Sequence, residues 1–171
     1  MLTLIRPSIE FKESFLAGLA EFQKEGLSWW MERDALAISQ DFADFVAKEN
    51  SKMTLWSKAP PVHESVYWAI LGGEFVGVIS IRHELNEDLR IMGGHIGYDT
   101  RPSFRGRGVA SEMLRQALPI ARSLGIKEAL LTCSDTNAPS IRVIEKNGGQ
   151  LRERKLQYSG GHMKRYYWIK L

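Results

Sequence analysis

Hydrophobic residues along the chain repeat first at the spacing of a strand and then at the spacing of helices. Leu2-Thr3-Leu4-Ile5-Arg6 alternates between apolar and polar positions and Pro7 ends the run, so residues 2–6 are predicted to form a strand. The apolar residues that recur next at helical spacing are Phe11, Phe15, Leu16, Leu19, Ala20 and Phe22. A second helix is predicted over residues 39–52, with Phe42, Phe45 and Val46 on its inner face.

Three β-rich runs follow a proline-containing segment in the middle of the chain. Residues 57–61 are predicted to be a loop, because the two prolines in it fix φ and lack a backbone donor. Residues 65–71 and 75–84 are predicted strands, and Gly72-Gly73 between them indicates a hairpin turn. Residues 94–100 are predicted to form a shorter strand.

The next segment is predicted to be helix, strand and helix. The first helix has a core-facing stripe made of Ala110, Met113, Leu114, Ala117, Ala121 and Leu124. Pro119 is expected to kink it or to cost it a hydrogen bond to the Arg115 carbonyl, and Gly125 is expected to end it. Residues 128–134 are predicted to be a buried strand, and residues 138–147 a short helix.

The chain closes on a predicted hairpin. Residues 151–158 and 164–170 flank Ser159-Gly160-Gly161 and are predicted to be its two strands. The resulting order, β-α-α-β-β-β-α-β-α-β-β, is typical of the α/β (α+β) class. We therefore expect one mixed sheet with helices on both of its faces.

Composition limits the class of protein. With 171 residues, of which 44% are hydrophobic and 25% charged, the chain is predicted to be one globular domain over residues 1–171. A net charge of +3 without a dense basic tract argues against nucleic-acid binding, and no apolar run is long enough for a membrane span. One cysteine, and an N-terminal segment interrupted by Glu10, Lys12 and Glu13, are typical of a cytoplasmic protein without a signal peptide.

A glycine-rich stretch between a strand and a helix carries the clearest chemical signal. Arg105-Gly106-Arg107-Gly108-Val109-Ala110 follows the turn Arg101-Pro102-Ser103 and leads directly into a helix. Strand, glycine-rich turn and helix is the arrangement that offers unpaired backbone N–H groups to an anion. Gly106 and Gly108 let the backbone approach a ligand closely, and the two arginines add positive charge. The stretch is predicted to bind a pyrophosphate.

Two common nucleotide-binding motifs do not fit this stretch. No G-x-x-x-x-G-K-[ST] string occurs, so a Walker A loop is excluded. A dinucleotide fingerprint would need a glycine where Ser111 stands, and its acidic residue, expected about 20 positions on, would be Glu128, which opens a strand instead of closing one. Dinucleotide binding stays a remote alternative.

A third pattern, R/Q-x-x-G-x-G/A, matches residues 105–110 at every specified position. Here the chain resembles the GNAT acetyltransferase superfamily, whose members hold the pyrophosphate of acetyl-CoA with this loop. Residues 137–148 also resemble that superfamily's N-x-x-S…E-K-x-G signature, in a form similar to that of ribosomal-protein N-terminal acetyltransferases. The resemblance implies a mostly antiparallel sheet of about seven strands. In that sheet strands 4 and 5 splay apart to admit the pantetheine arm.

The resemblance also implies which residues bind acetyl-CoA. Main-chain groups of Tyr98, Asp99 and Thr100 would hold the thioester and the pantetheine. The residues implied for the pyrophosphate are Arg105, Gly106, Arg107, Gly108, Val109, Ala110 and Ser111. Asn137 would bond the pantetheine through its side-chain amide, and Ser140 would lie near the thiol. No metal is expected.

Acyl transfer to an amine needs a base that takes a proton from the ammonium and a donor for the developing oxyanion. Many relatives carry a tyrosine on the second-motif helix as the acid on the thiolate, whereas this chain has Ile144. Ser140, one helical turn earlier, is the candidate donor to the sulfur, or else it caps its helix. The candidate bases are, in order of preference, His95, Glu84 and Asp99.

Other residues near these motifs have two interpretations. Arg101 and Arg107 are candidates for phosphate contacts or for solvated charges at the rim, and Arg105 for a structural role in the loop. Cys133 is predicted to belong to the core. The aromatic cluster at residues 27–31 is predicted to form either a wall of the acceptor site or a hydrophobic staple.

These residues predict an N-acetyltransferase that moves an acetyl group from acetyl-CoA to a primary amine by direct attack in a ternary complex. The alternative is a non-catalytic acyl-CoA-binding sensor of the same fold, because a fold does not imply a function. The acceptor is expected to be a small-molecule or peptide amine, which no pattern in the chain identifies. The protein is expected to be a monomer or a homodimer.

Overall fold

The computed structural model describes residues 1–26, 28–53, 59–156 and 163–171, except for the side chains of residues 28 and 29. The predicted turn at residues 159–161 and the first two residues of the predicted loop 57–61 lie outside the described residues. The remaining three residues of that loop have neither helical nor extended structure, in agreement with the prediction.

The strands form two hydrogen-bonded ladders. They are β1 (Thr3–Ile5), β2 (Glu64–Leu71), β3 (Glu74–Arg82), β4 (Ile96–Thr100), β5 (Glu128–Ser134), β6 (Gln150–Leu156) and β7 (Met163–Lys170). One ladder has the order β1-β2-β3-β4 and the other the order β5-β7-β6, with antiparallel neighbours throughout. Gly72 and Gly73 close the β2–β3 hairpin with φ of 61° and 83°, values that glycine adopts without strain. The predicted fold class is confirmed.

One difference between the helices and the prediction arises where a polar side chain interrupts a helix. They are α1 (Lys12–Lys24), α2 (Ser28–Met31), α3 (Ala35–Gln40), α4 (Phe42–Asn50), α5 (Glu87–Ile91), α6 (Val109–Ser123) and α7 (Ala138–Lys146). The prediction of a single helix over residues 39–52 is wrong, because α3 ends and α4 begins within this range. Asp41 leaves the helical conformation between α3 and α4, and its carboxylate accepts the Asp44 N–H at 3.0 Å. Helix α6 continues on both sides of Pro119.

Helix α5 has no counterpart in the sequence prediction, although its start signal is present. The Asn86 side chain accepts the Leu89 N–H at 2.9 Å, and Glu87 and Asp88 place negative charge in the first turn. The helix buries only Leu89, so it has no apolar periodicity to detect. Among all the described residues, no helix has the length and apolar character that a membrane crossing requires.

Helices cover both faces of the sheet, as predicted. Helices α1 to α4 enclose an aromatic cluster on one face, which contains Phe15, Phe22, Trp30, Phe42, Trp68 and Phe75. Helices α6 and α7 cover the other face, where Met113 and Ile144 pack in one cluster with Ile79 and Leu131. Each buried side chain of this size contributes roughly 1.5–3 kcal/mol.

Strands β4 and β5 diverge from one fixed point. An isolated bridge joins Gly94 to Leu131, and the His95 N–H donates to the Leu130 carbonyl at 2.7 Å. Gly94 has a φ of 67°, and a Cβ there would lie 2.3 Å from the Leu130 oxygen, so this close approach requires glycine. Beyond the bridge, β4 pairs only with β3 within the described chain, and a slot opens between β4 and β5. This is the splay that the family resemblance implies.

Candidate active site

Along β4, the main-chain N–H and C=O groups of successive residues point alternately toward β3 and toward the slot. The Arg101 N–H donates to the Val76 carbonyl of β3 at 2.9 Å. Main-chain groups alternate in direction along an antiparallel strand, so Asp99 directs its N–H and C=O toward β3. Tyr98 and Thr100 therefore direct their N–H and C=O groups toward the slot. The main chain of β4 thus offers a ligand in the slot an edge with which to pair.

A cavity of about 260 Å³, here called the slot cavity, lies between β4, β5 and the start of α7. The residues that line it include Gly97, Tyr98, Leu131, Cys133, Asn137 and Ser140. The Tyr98 hydroxyl donates to the Ser140 carbonyl at 3.5 Å and so connects β4 to α7. Burial raises the pKa of Tyr98 far above its ordinary value, so the phenol stays protonated at neutral pH.

A second cavity of about 680 Å³, here called the face cavity, lies on the side of the sheet that α1 to α4 cover. Its lining includes Trp30, Arg33, Glu49, Val66, Val78 and Asp99. The cross-strand pairs of β2, β3 and β4 place these strand residues on one face. The slot cavity and the face cavity share the lining residues Arg82, Met92, Gly93, Gly97 and Tyr98. The two cavities therefore meet at β4.

The glycine-rich turn has the geometry of an anion site. Gly106 and Gly108 have φ of 73° and 80°, the left-handed conformation that favours glycine. Gly108 is the N-cap of the 15-residue helix α6 and supplies no side-chain cap. The N–H groups of Val109, Ala110 and Ser111 therefore have no intrahelical acceptor. Bare N–H groups and the helix dipole together attract a phosphate.

Arg101 and Arg105 hold the turn in place. Arg101 is only 9% exposed, and its Nε donates to Glu21 Oε1 at 2.7 Å. Arg105 donates to the Thr100 carbonyl at 3.1 Å and pairs with the Glu25 carboxylate at 2.8 Å. Both interpretations offered for Arg101 are wrong, because a buried, ion-paired guanidinium is neither a phosphate ligand nor a solvated charge. The contacts of Arg105 agree with a structural role.

Arg107 and Thr100 have polar groups beside the turn that remain available to a ligand. The exposed Arg107 guanidinium lies 5.3 Å from the centroid of the Phe104 ring. Thr100 Oγ1 is buried and has no hydrogen-bond partner among the described residues. Buried hydroxyls are nearly always hydrogen-bonded in proteins, so this atom fits a ligand running along β4.

The sequence left two roles open for Ser140, the cap of its helix and a hydrogen-bond donor to the sulfur. The contacts of Asn137 decide the first of them. Asn137 is the N-cap of α7, and its Oδ1 accepts the Ser140 N–H at 3.1 Å. The capping interpretation of Ser140 is therefore wrong, because Asn137 supplies the cap. Both residues line the slot cavity, and the role of Ser140 as a hydrogen-bond donor to the sulfur stays a prediction. Within the part of the chain that the structure describes, the side-chain NH2 group of Asn137 has no hydrogen-bond partner.

His95 and Glu84 line neither cavity. His95 is buried, and its Nδ1 accepts the Leu130 N–H at 2.9 Å. Burial, followed by the charges of Arg90 and Arg82, lowers the pKa of His95 to about 4. A neutral ring whose acceptor nitrogen is bonded to β5 holds the two strands together and is poorly placed to take a substrate proton. Glu84 is exposed beyond the end of β3. We do not retain either residue as a candidate base.

Asp99 combines a suitable position with a suitable pKa. It lines the face cavity, and its Oδ2 accepts the Trp30 Nε1–H at 3.4 Å. Burial raises the pKa of Asp99 to about 6, and the Trp30 hydrogen bond, Arg105 and Arg33 partly offset that effect. A carboxylate that titrates near neutral pH can exchange a proton with a bound group. Of the three candidate bases, Asp99 has the best geometry.

Three further residues at the site had weak or no signals in the sequence. Cys133, expected in the core, is buried but also lines the slot cavity. Trp30 lines the face cavity and also stacks on Phe22 with ring centroids 4.2 Å apart. Residue 27 and the side chains of residues 28 and 29 in the predicted cluster lie outside the described residues, so the wall of the acceptor site stays a prediction. Arg82 lines both cavities and pairs with Glu64 at 3.4 Å, a contact that only the β2–β3 register reveals.

The splayed strands and the anion-binding turn are the features that the resemblance to the GNAT superfamily implies, and they define an acyltransferase that uses acetyl-CoA. Comparison with known families agrees. The family model of the acetyltransferase (GNAT) domain matches residues 10–150, and the chain belongs to this family.

Solved acetyltransferase structures share the fold at low sequence identity. RimL, a ribosomal alpha-N-protein acetyltransferase in complex with coenzyme A, is 18% identical with a TM-score of 0.71, over 99% of this chain and 94% of its own. MccE, a microcin self-immunity acetyltransferase in complex with acetyl-CoA and AMP, is 15% identical with a TM-score of 0.67, over 99% of this chain and 92% of its own.

Among curated proteins, one short sequence match stands out. YwnH of Bacillus subtilis (strain 168), named for phosphinothricin acetyltransferase activity, is 43% identical over 44 residues. The match spans 26% of this chain and about a quarter, 27%, of YwnH. It therefore supports the family and carries no information about the acceptor.

Proposed function

We propose that the protein transfers the acetyl group of acetyl-CoA directly to a primary amine while both are bound. The proposal rests on the meeting of the slot cavity and the face cavity, which share lining residues such as Gly97 and Tyr98 of β4. A donor in the slot and an amine in the face cavity would be held next to each other. This arrangement favours direct transfer in a ternary complex. It makes a non-catalytic sensor less consistent with the site, because a sensor has no use for the second cavity.

On the donor side, acetyl-CoA supplies an activated thioester, and the residues of this chain bind and orient it. The N–H groups at the start of α6, with Arg107 beside them, would hold the pyrophosphate. Main-chain groups of Tyr98 and Thr100 would pair with the pantetheine along the edge of β4. The Asn137 amide and the Ser140 hydroxyl would lie at the thiol end, where a hydroxyl can stabilise the departing sulfur.

On the acceptor side, Asp99 would accept the proton that the ammonium must lose before it can attack. The Trp30 indole N–H donates to one carboxylate oxygen of Asp99, and the residue lines the face cavity. With a pKa of about 6, Asp99 is mostly ionised at neutral pH and can take up that proton. RimL is named as an alpha-N-protein acetyltransferase, which supports amine acetylation as the reaction class.

The proposal is tested by titrating acetyl-CoA into the protein in a calorimeter, with NAD as the control. We expect micromolar binding of acetyl-CoA, about −8 kcal/mol, and no response to NAD. Release of free CoA thiol is then followed with a panel of alkylamines, diamines and dipeptide amides. Tight binding with no turnover of any amine would favour the sensor, and no binding of acetyl-CoA would overturn the proposal altogether.

Cys133 offers a separate test of where the thiol end of the cofactor lies. The RimL structure contains a disulfide between coenzyme A and a cysteine. Cys133 lines the slot cavity, and we expect it to form a mixed disulfide when the protein is incubated with CoA disulfide. The Cys133 thiolate attacks one sulfur, the new S–S bond forms, and one CoA leaves as a thiolate that takes up a proton. Because burial raises the pKa of Cys133, the adduct should form over hours at neutral pH.

Intact-mass spectrometry measures the adduct. Two controls test whether it forms at Cys133 and whether binding in the slot directs the reaction. The Cys133→Ser variant should form no adduct, and excess acetyl-CoA should slow the reaction of the wild type while NAD should not. If oxidised glutathione modifies Cys133 as fast as CoA disulfide does, binding in the slot does not direct the reaction, and the placement of the thiol end beside Cys133 is wrong.

A further inference from the structure

The charged residues that line the face cavity are mostly paired with one another. They are Glu32, Arg33, Glu49, Lys52, Glu64, Arg82 and Asp99. Carboxylates in this set outnumber cations by four to three. The position of each cation relative to a carboxylate therefore decides which charges an acceptor would meet.

Glu49 of α4 pairs with two of the three cations. Its carboxylate is buried, and the same oxygen, Oε1, lies 3.2 Å from Arg33 Nη2 and 3.6 Å from Lys52 Nζ. The Arg33 guanidinium is held further by the rings of Trp30 and Phe45, at 5.0 and 5.4 Å from their centroids. Arg33 therefore has a fixed orientation, with Glu49 as its ionic partner.

The third cation has its own carboxylate. Arg82 Nη2 lies 3.4 Å from Glu64 Oε1, and both side chains are buried. Glu32 and Asp99, in contrast, form no ion pair with any described residue. A ligand entering the face cavity thus meets two carboxylates without ionic partners, and cations that already have partners.

We infer that the acceptor is an amine with no negative charge next to its amino group, and that Glu49 determines this specificity. The inference rests on the proposed function and specifies its acceptor class. A carboxylate beside the amine would lose its hydration on entry and find Arg33 and Lys52 already paired with Glu49. Amines, diamines and peptide N-termini meet this requirement, whereas free α-amino acids do not.

The wild-type protein tests the inference with matched acceptors. L-phenylalanine amide and phenethylamine lack the carboxylate that L-phenylalanine carries, and all three have an aromatic ring for the wall formed by Trp30, Val66 and Val78. At equal concentrations of unprotonated amine, we expect kcat/KM for the amide to exceed that for L-phenylalanine by at least about tenfold. Calorimetry with the CoA-loaded protein should rank the binding of the two in the same order.

The Glu49→Gln variant should release the two cations and change the specificity. We expect the ratio of kcat/KM for L-phenylalanine over the amide to rise about tenfold, the effect of one charge-assisted hydrogen bond. Phenylacetate should bind to this variant and not to the wild type. Glu32→Gln is the matched control, because it removes one negative charge from the same cavity without releasing a cation. It should leave the ratio within about twofold.

The outcomes separate the inference from the proposed function. Wild-type turnover of L-phenylalanine as fast as of its amide, or an equal change of the ratio in Glu32→Gln and Glu49→Gln, overturns the inference and leaves amine acetylation standing. Absence of turnover with every amine overturns the proposed function itself. If Glu49→Gln does not fold, as judged by its thermal unfolding, the wild-type ratio and phenylacetate binding decide.

Discussion

Replacing Gly108 with valine is expected to weaken acetyl-CoA binding by at least about a hundredfold, since each hydrogen bond to a charged group contributes about 1.5–3 kcal/mol. Gly108 has a φ of 80°, and a Cβ built on it meets no described atom within 4 Å. The protein itself therefore leaves room for a side chain. The ligand does not, because the added side chain would stand at the start of α6, where the pyrophosphate is proposed to bind. Calorimetric titration of acetyl-CoA measures the loss.

Gly125 supplies the matched control for this experiment. It lies just beyond the C-terminal end of α6, has a φ of 87°, and likewise has no described atom within 4 Å of a Cβ position. Valine at either position adopts a left-handed conformation that costs about 1–2 kcal/mol. Thermal unfolding should therefore shift by similar amounts in Gly108→Val and Gly125→Val, while only Gly108→Val loses acetyl-CoA. Equal affinities in the two variants would contradict the pyrophosphate assignment.

The conformation of this turn could be predicted from the sequence because its determinants are local. Two glycines separated by one residue allow the positive φ values that the turn adopts, and the amphipathic helix that follows at once indicates where the turn ends. The same holds for β5, whose predicted bounds agree with the structure at both ends because a short apolar run is bounded by polar residues. In both cases neighbouring residues decide the structure.

The roles of Arg101 and His95 could not be predicted, because distant partners decide them. Arg101 is bound by Glu21, 80 residues earlier in the chain, and His95 by the backbone of Leu130, 35 residues later. Nothing near either residue indicates that it will be buried. A charged side chain and an imidazole beside a ligand-binding strand suggest chemistry. Only the tertiary structure shows that both instead hold strands and loops together.

Asp99 presents the opposite case, since a distant contact supports the chemical role that we propose for it. Its indole partner Trp30 lies 69 residues earlier in the chain, on a helix of four residues that has no usable periodicity. Burial raises the pKa of Asp99 to about 6, and the hydrogen bond from Trp30 partly offsets that effect. The sequence ranks Asp99 behind His95 and Glu84 as a candidate base, because no neighbouring residue indicates its contact with Trp30.

Replacing Asp99 with asparagine is expected to lower kcat by about a hundredfold or more, the usual effect of removing a general base. Asparagine has nearly the same shape and can still accept the Trp30 N–H, so the affinity for acetyl-CoA should change little. The rate of CoA release gives kcat, and calorimetry on the same sample gives the affinity for acetyl-CoA. The two measurements separate an effect on catalysis from an effect on binding. Glu84→Gln is the control, because Glu84 is exposed outside both cavities and its loss should leave kcat unchanged.

The pH dependence of the wild type gives an independent measure of the same group. Activity should fall as the pH drops through about 6, because protonated Asp99 cannot accept the proton of the ammonium. Trp30→Phe keeps an aromatic ring against Phe22 but removes the N–H that favours the ionised carboxylate, so it should move this acidic limb to higher pH. An acidic limb that stays in place in Trp30→Phe, together with full activity of Asp99→Asn, would assign the proton transfer to another group.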